Sequence, residues 1–344
     1  MLSVFYPPSV EDGYLYSMRT VFPATYSTLC PTALSAFLSE KYALKNVQCE
    51  LLVRGVGDTY LVQSPGDRFI LRVYRSSHRS LPQIQEEVAL LQALKAAEVS
   101  VSHPLQDKAG ETVQRLNAVE GERCAVLFSY APGHPVRMLN DQQLYLLGRE
   151  MARFHQVSAA FGAGKTRWTF NEDSMFVRPL AQLQPFFANN AADYTWLQQA
   201  AATAAAKLSA TKGLSMGYCH FDFLPKNMHF DTNGITLFDF DFMGYGWLAN
   251  DIASFWQYLA LEVYTKRMTQ EEADRQYHLL LDAYREHRPL NERELEAIPF
   301  ISLGWWLFYM GFHTTHDQFH AFVQPGHLKL FTGLLRHLAD THWK

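Results

Sequence analysis

The chain has 344 residues, 48% of them apolar and 19% charged, with 19 glycines and 15 prolines. This composition excludes a disordered, collagen-like or coiled-coil protein, and at this length two lobes or domains are expected. A formal net charge of -4 gives no electrostatic footprint for nucleic acid or an anionic membrane, so any polyanion it binds is small. Cys30, Cys49, Cys124 and Cys219 stand far apart with no CxxC pair, which argues against a disulfide framework and a structural zinc site. The N-terminus has no basic region leading into an apolar stretch, and the segment Phe300 to Phe312 falls short of a bilayer's thickness. A soluble, cytoplasmic protein in a reducing compartment is expected, with no membrane partner.

Residues 1–30 contain Pro7, Pro8 and Pro23 and read as an extended lead-in. Pro31 then opens a helix carrying Leu34, Phe37 and Leu38 on one face. Residues 47–54 and 59–64 alternate as strands around Gly55-Val56-Gly57-Asp58, and Pro65-Gly66-Asp67 turns the chain into a third strand over 68–74, completing a meander. Over 81–98, Ile84, Val88, Leu91 and Leu94 recur at helical spacing. Residues 123–130 form another strand, which ends at Ala131-Pro132-Gly133. That break separates a smaller mixed lobe, 31–130, from a helical lobe, 131–344. Leu144, Leu147, Met151 and Phe154 mark the second lobe's first long helix, and the run Ala200 to Ala206 is helical by propensity. The fold class is therefore α+β.

The chemistry concentrates in Tyr218-Cys219-His220-Phe221-Asp222-Phe223-Leu224-Pro225-Lys226-Asn227, followed by Met228-His229-Phe230 and a turn at Asn233-Gly234. Ile235-Thr236-Leu237-Phe238-Asp239-Phe240-Asp241 comes next. Asn-Gly between two apolar runs is a strong hairpin signal. The hairpin brings Asn227 near Asp239 and Asp241, an oxygen-only set suited to Mg²⁺, with Asp222 on a loop beside it. Phosphoryl transfer needs these parts: a carboxylate for the incoming hydroxyl, and acidic and amide oxygens for metal on nucleotide phosphates.

The pattern His-x-Asp-x-x-x-x-Asn followed by Asp-Phe-Asp resembles the motifs of the aminoglycoside phosphotransferase and choline kinase group, which has a protein-kinase-like fold. The group's loop usually reads His-Gly-Asp-x-His-Pro-x-Asn; here Phe221 replaces the glycine and Leu224 the second histidine, while Pro225 matches. The resemblance, over roughly residues 45 to 320, implies a small antiparallel-sheet lobe plus one helix and a larger helical lobe. It implies Asp222 as catalytic base or hydroxyl-orienting residue, Asn227 and Asp239 as metal ligands, Asp241 as an accessory ligand or a group behind them, and His220 as a brace for the loop. Asp251, opening a helix, caps free N–H groups or holds the catalytic loop, and His155 lies buried against that loop.

By the same resemblance, Gly57, Asp58 and Thr59 belong to the turn that covers the nucleotide phosphates. Arg72 reaches those phosphates, with Glu87 as its ion-pair partner and Glu86 as the fallback. Ser129, Tyr130 and Ala131 form the inter-lobe hinge that meets the adenine edge. The implied cofactors are ATP and Mg²⁺, and the implied partner is a small-molecule hydroxyl acceptor: an amino alcohol, homoserine, a sugar or an aminoglycoside. An inactive nucleotide-binding protein and a protein Ser/Thr kinase use the same residues and remain alternatives. The chain's oligomeric state stays open. His313, His316 and His320, at i, i+3 and i+7, share one helix face if that helix runs on. The aromatic set Trp247, Trp256, Tyr258, Trp305, Trp306, Phe308 and Tyr309 is read as helix packing, with one or two members free to line an acceptor pocket.

Overall fold

A computed structural model describes residues 22–162, 166–232 and 234–343. The lead-in up to residue 21 and Asn233 of the hairpin turn lie outside them. Proline at the first helical position starts α1 (Pro31–Tyr42). The strands β1 (Gln48–Arg54), β2 (Gly57–Ser64) and β3 (Asp67–Tyr74) follow as the expected meander, then α2 (Leu81–Ala96), β4 (Val113–Ala118) and β5 (Gly121–Ser129). They make a five-stranded antiparallel sheet in the order β1-β2-β3-β5-β4.

Strand periodicity decides what each face of this sheet carries. Tyr60 and Val62 of β2, Leu71 and Val73 of β3, and Ala125 and Leu127 of β5 form one buried cluster with Leu34 and Leu38 of α1. The alternate residues face the other way. Tyr74, Val126 and Phe128 join the larger core that also takes in Ile84, Leu91 and Leu94 of α2. Arg72, between Leu71 and Val73, is thereby turned away from α1 and toward the second lobe.

That lobe begins with α3 (Asp141–Ala160), whose N-terminus is closed by a capping box between Asn140 and Gln143. It continues through β6 (Trp168–Thr169), α4 (Arg178–Leu183), α5 (Ala191–Ala210), β7 (Met216–Cys219), β8 (Met228–Phe230), β9 (Ile235–Leu237) and β10 (Gly244–Trp247). The helices α6 (Ala249–Tyr264), α7 (Gln270–Arg285), α8 (Glu292–His313) and α9 (Pro325–His342) complete it. The expected hairpin is present, with Met228 paired to Leu237 and Phe230 to Ile235. Strand β10 lies between β6 and β7. Gly244 and Gly246 there have no room for a Cβ, because Phe170 packs against both.

Two expectations change at α8. The apolar stretch is longer than 300–312: this 22-residue helix is long and apolar enough to cross a bilayer, but 83% of its most apolar window is buried in the protein. The helix also stops at His313, so His313, His316 and His320 do not share a helix face, and no cluster of metal-ligating residues occurs among the described residues. Trp305, Trp306, Phe308 and Tyr309 are buried in the core, as helix packing requires.

Candidate active site

The loop from His220 to Asn227 is held from beneath by one carboxylate. Asp251, buried in the first turn of α6, accepts from the backbone N–H of His220 at 3.0 Å and of Phe221 at 2.6 Å. Its Oδ2 also takes the Nε2 proton of His155 at 3.0 Å, and His155 Nδ1 in turn meets the Tyr284 hydroxyl at 2.8 Å. Burial pushes the His155 imidazole down in pKa, so it serves as a neutral strut. His220 braces the top: Nε2 bonds the Phe238 carbonyl at 3.0 Å and Nδ1 accepts from the Asp222 N–H at 3.3 Å.

Phe221 occupies the group's glycine position with φ at +68°, a left-handed conformation that costs a non-glycine residue about 1–2 kcal/mol. Packing holds it there. Its ring stacks on Phe170 at 3.7 Å, with the planes 11° apart, and its carbonyl accepts from Trp305 Nε1 at 2.7 Å.

These braces leave Asp222 buried, with its two oxygens differently occupied. Oδ2 accepts from Asn227 Nδ2 at 2.7 Å and lies 2.9 Å from Lys226 Nζ. Oδ1 is buried and accepts no hydrogen bond from the loop. The Tyr309 hydroxyl is likewise buried and lies against this carboxylate; burial first, and then the Asp222 charge and hydrogen bond, push the phenol well above its ordinary pKa.

Above the loop a cavity of about 350 Å³ opens between the lobes. Arg72, Thr59 and Glu87 line it from the first lobe, Tyr130 and Ala131 from the connection, and Lys226, Asn227 and Asp239 from the second lobe. A β-bulge between Leu51 and Val53 re-aims the end of β1. Leu52 and Val53, 48% and 58% exposed, join Ile70 and Phe128 on the cavity wall.

Asp239 is the donor most open to the cavity, its side chain 46% exposed and its Oδ1 2.7 Å from Arg72 Nη1. Desolvation works against its charge, but Arg72 outweighs this and holds the carboxyl below the usual range. Asn227 spends its amide N–H groups on Asp222 and lines the same cavity. An amide oxygen and a carboxylate, both hard donors, fit a divalent cation such as Mg²⁺ held jointly with phosphate oxygens.

The structure corrects four assignments. Asp58 faces α1 rather than the cavity, because β2 already begins at Gly57 and its alternation puts Asp58 with Tyr60 and Val62. It is fully buried, bound by Arg123 Nη2 at 3.0 Å and by the Tyr26 hydroxyl. Ser129, in phase with Ala125 and Leu127, is spent on the segment before β4: its N–H donates to the His103 carbonyl at 2.9 Å and its carbonyl accepts from Ser102 Oγ at 2.6 Å. Asp241 has no oxygen to spare for metal. Arg79 Nε lies 3.2 Å from Oδ1, while His78 Nε2 at 3.0 Å and Arg72 Nη2 at 3.3 Å share Oδ2. Burial opposes its charge, and Arg79 and Arg72, with the His78 hydrogen bond, hold its carboxyl well below the ordinary range all the same.

The fourth correction concerns Glu87. Arg72 is engaged by Asp239 and Asp241, and Glu87 instead takes the Tyr74 hydroxyl at 3.2 Å and Arg167 Nη1 at 3.2 Å. Glu86 binds Thr166 Oγ1 and the Tyr218 hydroxyl, both at 2.6 Å. The residues that sequence reasoning missed are thus His78, Arg79 and Arg167 around Asp241, and Lys226 beside Asp222, while Tyr309 belongs to the aromatic set already named. Only Lys226 carried a visible signal, standing within the catalytic motif itself.

Comparison with known proteins gives the family and the fold. Residues 49–293 match the phosphotransferase enzyme family. The chain is 36% identical over 299 residues to an uncharacterized protein of Deinococcus radiodurans, covering 86% of this chain and 85% of that one. It is 28% identical over 292 residues to a homoserine kinase of Xanthobacter autotrophicus, with 82% and 84% covered. Among solved structures, an amicoumacin kinase in complex with AMP-PNP and Ca²⁺ superposes with a TM-score of 0.72 at 21% identity, over 90% of this chain and 93% of that one, which shows the shared kinase-like fold. The chain therefore belongs to the phosphotransferase enzyme family and is a small-molecule phosphotransferase.

Proposed function

We propose that the protein moves the γ-phosphoryl group of ATP to a hydroxyl of a small molecule, with Mg²⁺ as cofactor. The observation that carries this reading is the unequal use of Asp222: one oxygen is saturated by the loop's own residues, while the other takes no hydrogen bond from the loop and leaves the carboxylate facing the Tyr309 hydroxyl. An oxygen kept in that state is positioned to accept the proton of an incoming hydroxyl and to aim it.

The cavity supplies the rest. Leu52, Val53, Ile70 and Phe128 give a nucleobase an apolar sandwich, with Tyr130 and Ala131 at its edge. Thr59 and Arg72 lie over the phosphates. Asn227 and Asp239 would hold the metal, which when bound neutralises charge on the phosphate oxygens. Asp241 acts from behind, fixing Arg72 and tying the loop before α2 to the second lobe through Arg79 and His78.

The test is transfer from Mg²⁺-ATP across a panel of amino alcohols, L-homoserine, sugars and aminoglycosides, read by product mass. A product 80 Da heavier than its acceptor, as about one added phosphoryl group requires, is expected for at least one neutral or singly charged acceptor. A panel without product, together with failure to bind Mg²⁺-ATP, overturns the reading.

A further inference from the structure

We propose that Lys226 is a catalytic residue whose ammonium contacts the transferred phosphoryl group while anchoring the general base. The inference rests on the nucleotide-binding reading above and starts from a count of available positive charge. Arg72 is only 13% exposed and is shared by Asp239 and Asp241. Arg79 and Arg167 are buried, committed to Asp241, Glu87 and the carbonyls of Phe240 and Asp241. Lys226 is different. It lines the cavity, its side chain is 62% exposed, and among the described residues its ion pair is with Asp222 at 2.9 Å. An ammonium carries three protons, so one bond to Asp222 leaves donors for phosphate oxygens.

Its position follows from local geometry. Pro225 to Asn227 form a single 3-10 turn, which sets Lys226 four residues after Asp222, on the same side of the loop. Because Asn227 and Lys226 share Asp222 Oδ2, an acceptor must use Oδ1. In-line displacement puts the phosphorus next to the acceptor oxygen, and a cation bonded to the same carboxylate then lies beside the equatorial oxygens of that phosphoryl group. The bond from acceptor oxygen to phosphorus forms as the bond to the β,γ-bridging oxygen breaks. The electron pair leaves with ADP, and the acceptor's proton passes to Asp222. Lys226 keeps its proton throughout.

A purely structural role would act on both nucleotides alike, since a bond that only holds Asp222 in place does not distinguish AMP-PNP from ADP. The test is calorimetric binding of Mg²⁺-ADP and Mg²⁺-AMP-PNP to the wild type, Lys226→Met and Lys226→Arg. We expect Lys226→Met to weaken AMP-PNP about tenfold and ADP less than twofold, as loss of one charged phosphate contact implies. Lys226→Arg should recover most of the difference. Equal weakening of both nucleotides, or of neither, overturns the role of Lys226 and leaves the nucleotide-binding reading standing. A wild-type protein that binds neither nucleotide overturns both.

Discussion

Arg72 and Asp239 neutralise each other across the cleft, Nη1 to Oδ1 at 2.7 Å, so the cation proposed for phosphate and the carboxylate proposed for metal are bonded together. Productive nucleotide binding must replace that pair with two others. Arg72→Ala should therefore split the two ligands: Mn²⁺ alone binds several-fold tighter to the freed Asp239, while Mg²⁺-ATP binds at least about tenfold more weakly. Paramagnetic resonance of Mn²⁺ and calorimetry with Mg²⁺-ATP measure the two arms. A variant that lost both affinities in parallel would show that Arg72 supports Asp239 rather than competing for it.

Asp241 is the electrostatic keystone behind that pair. It is 2% exposed and faces Arg72, Arg79 and His78, with Arg167 at 4.0 Å. Asp241→Asn leaves the buried Arg79 guanidinium without its carboxylate and Arg72 with only Asp239, and should cost about 3–5 kcal/mol in urea unfolding. The exposed pair Arg115–Glu122 is the contrast: Glu122→Gln should change stability by less than about 1 kcal/mol.

Phe221 offers a test by rank order. Glycine relieves its positive φ but removes a buried ring, whereas alanine removes the ring and keeps the strain. Phe221→Ala should lose about 3–5 kcal/mol, and Phe221→Gly about 1–2 kcal/mol less than that. If glycine proves the costlier substitution, the backbone at 221 carries no strain worth relieving.

Acid should weaken the fold through histidines before it reaches the carboxylates. Burial pushes His78 and His313 down to about 4 from an ordinary 6.5. Their folded values lie below the unfolded ones, so their contribution is complete above pH 6.5 and is lost as pH falls from 6.5 through about 4. The slope is at most about 1.4 kcal/mol per pH unit for each proton taken up. Unfolding free energies between pH 7 and 4.5 should show this decline, and His78→Asn, which keeps a donor for Asp241, should flatten it. An unchanged slope would mean that His78 titrates normally in the folded protein.

Much of this was legible because local signals agreed. The proline at the start of α1, the meander and the Asn-Gly turn each announced their element, and the spacing of Asp222, Asn227 and Asp239 survives intact in the loop and hairpin. What failed was long-range or a matter of phase. Reading Gly57 and Asp58 as turn residues hid that β2 starts at Gly57, and one residue of phase moved Asp58 to the opposite face. Strand β4, Val-Gln-Arg-Leu-Asn-Ala, is an edge strand with little apolar alternation, so it went unseen. Arg167 lies 80 residues from Glu87 and 74 from Asp241, and local pattern cannot reveal such a partnership. It is this distant arginine that holds Glu87 away from Arg72.

The most direct measurement compares wild type and Asp222→Asn for steady-state phosphoryl transfer to whichever acceptor yields product, alongside calorimetric affinity for Mg²⁺-ATP. The account predicts that turnover falls by about 10²–10⁴, the usual worth of a general base, while ATP affinity stays within about twofold because Asp222 acts on the acceptor. Turnover that survives the substitution would contradict the assignment of Asp222 as the residue that receives the acceptor's proton.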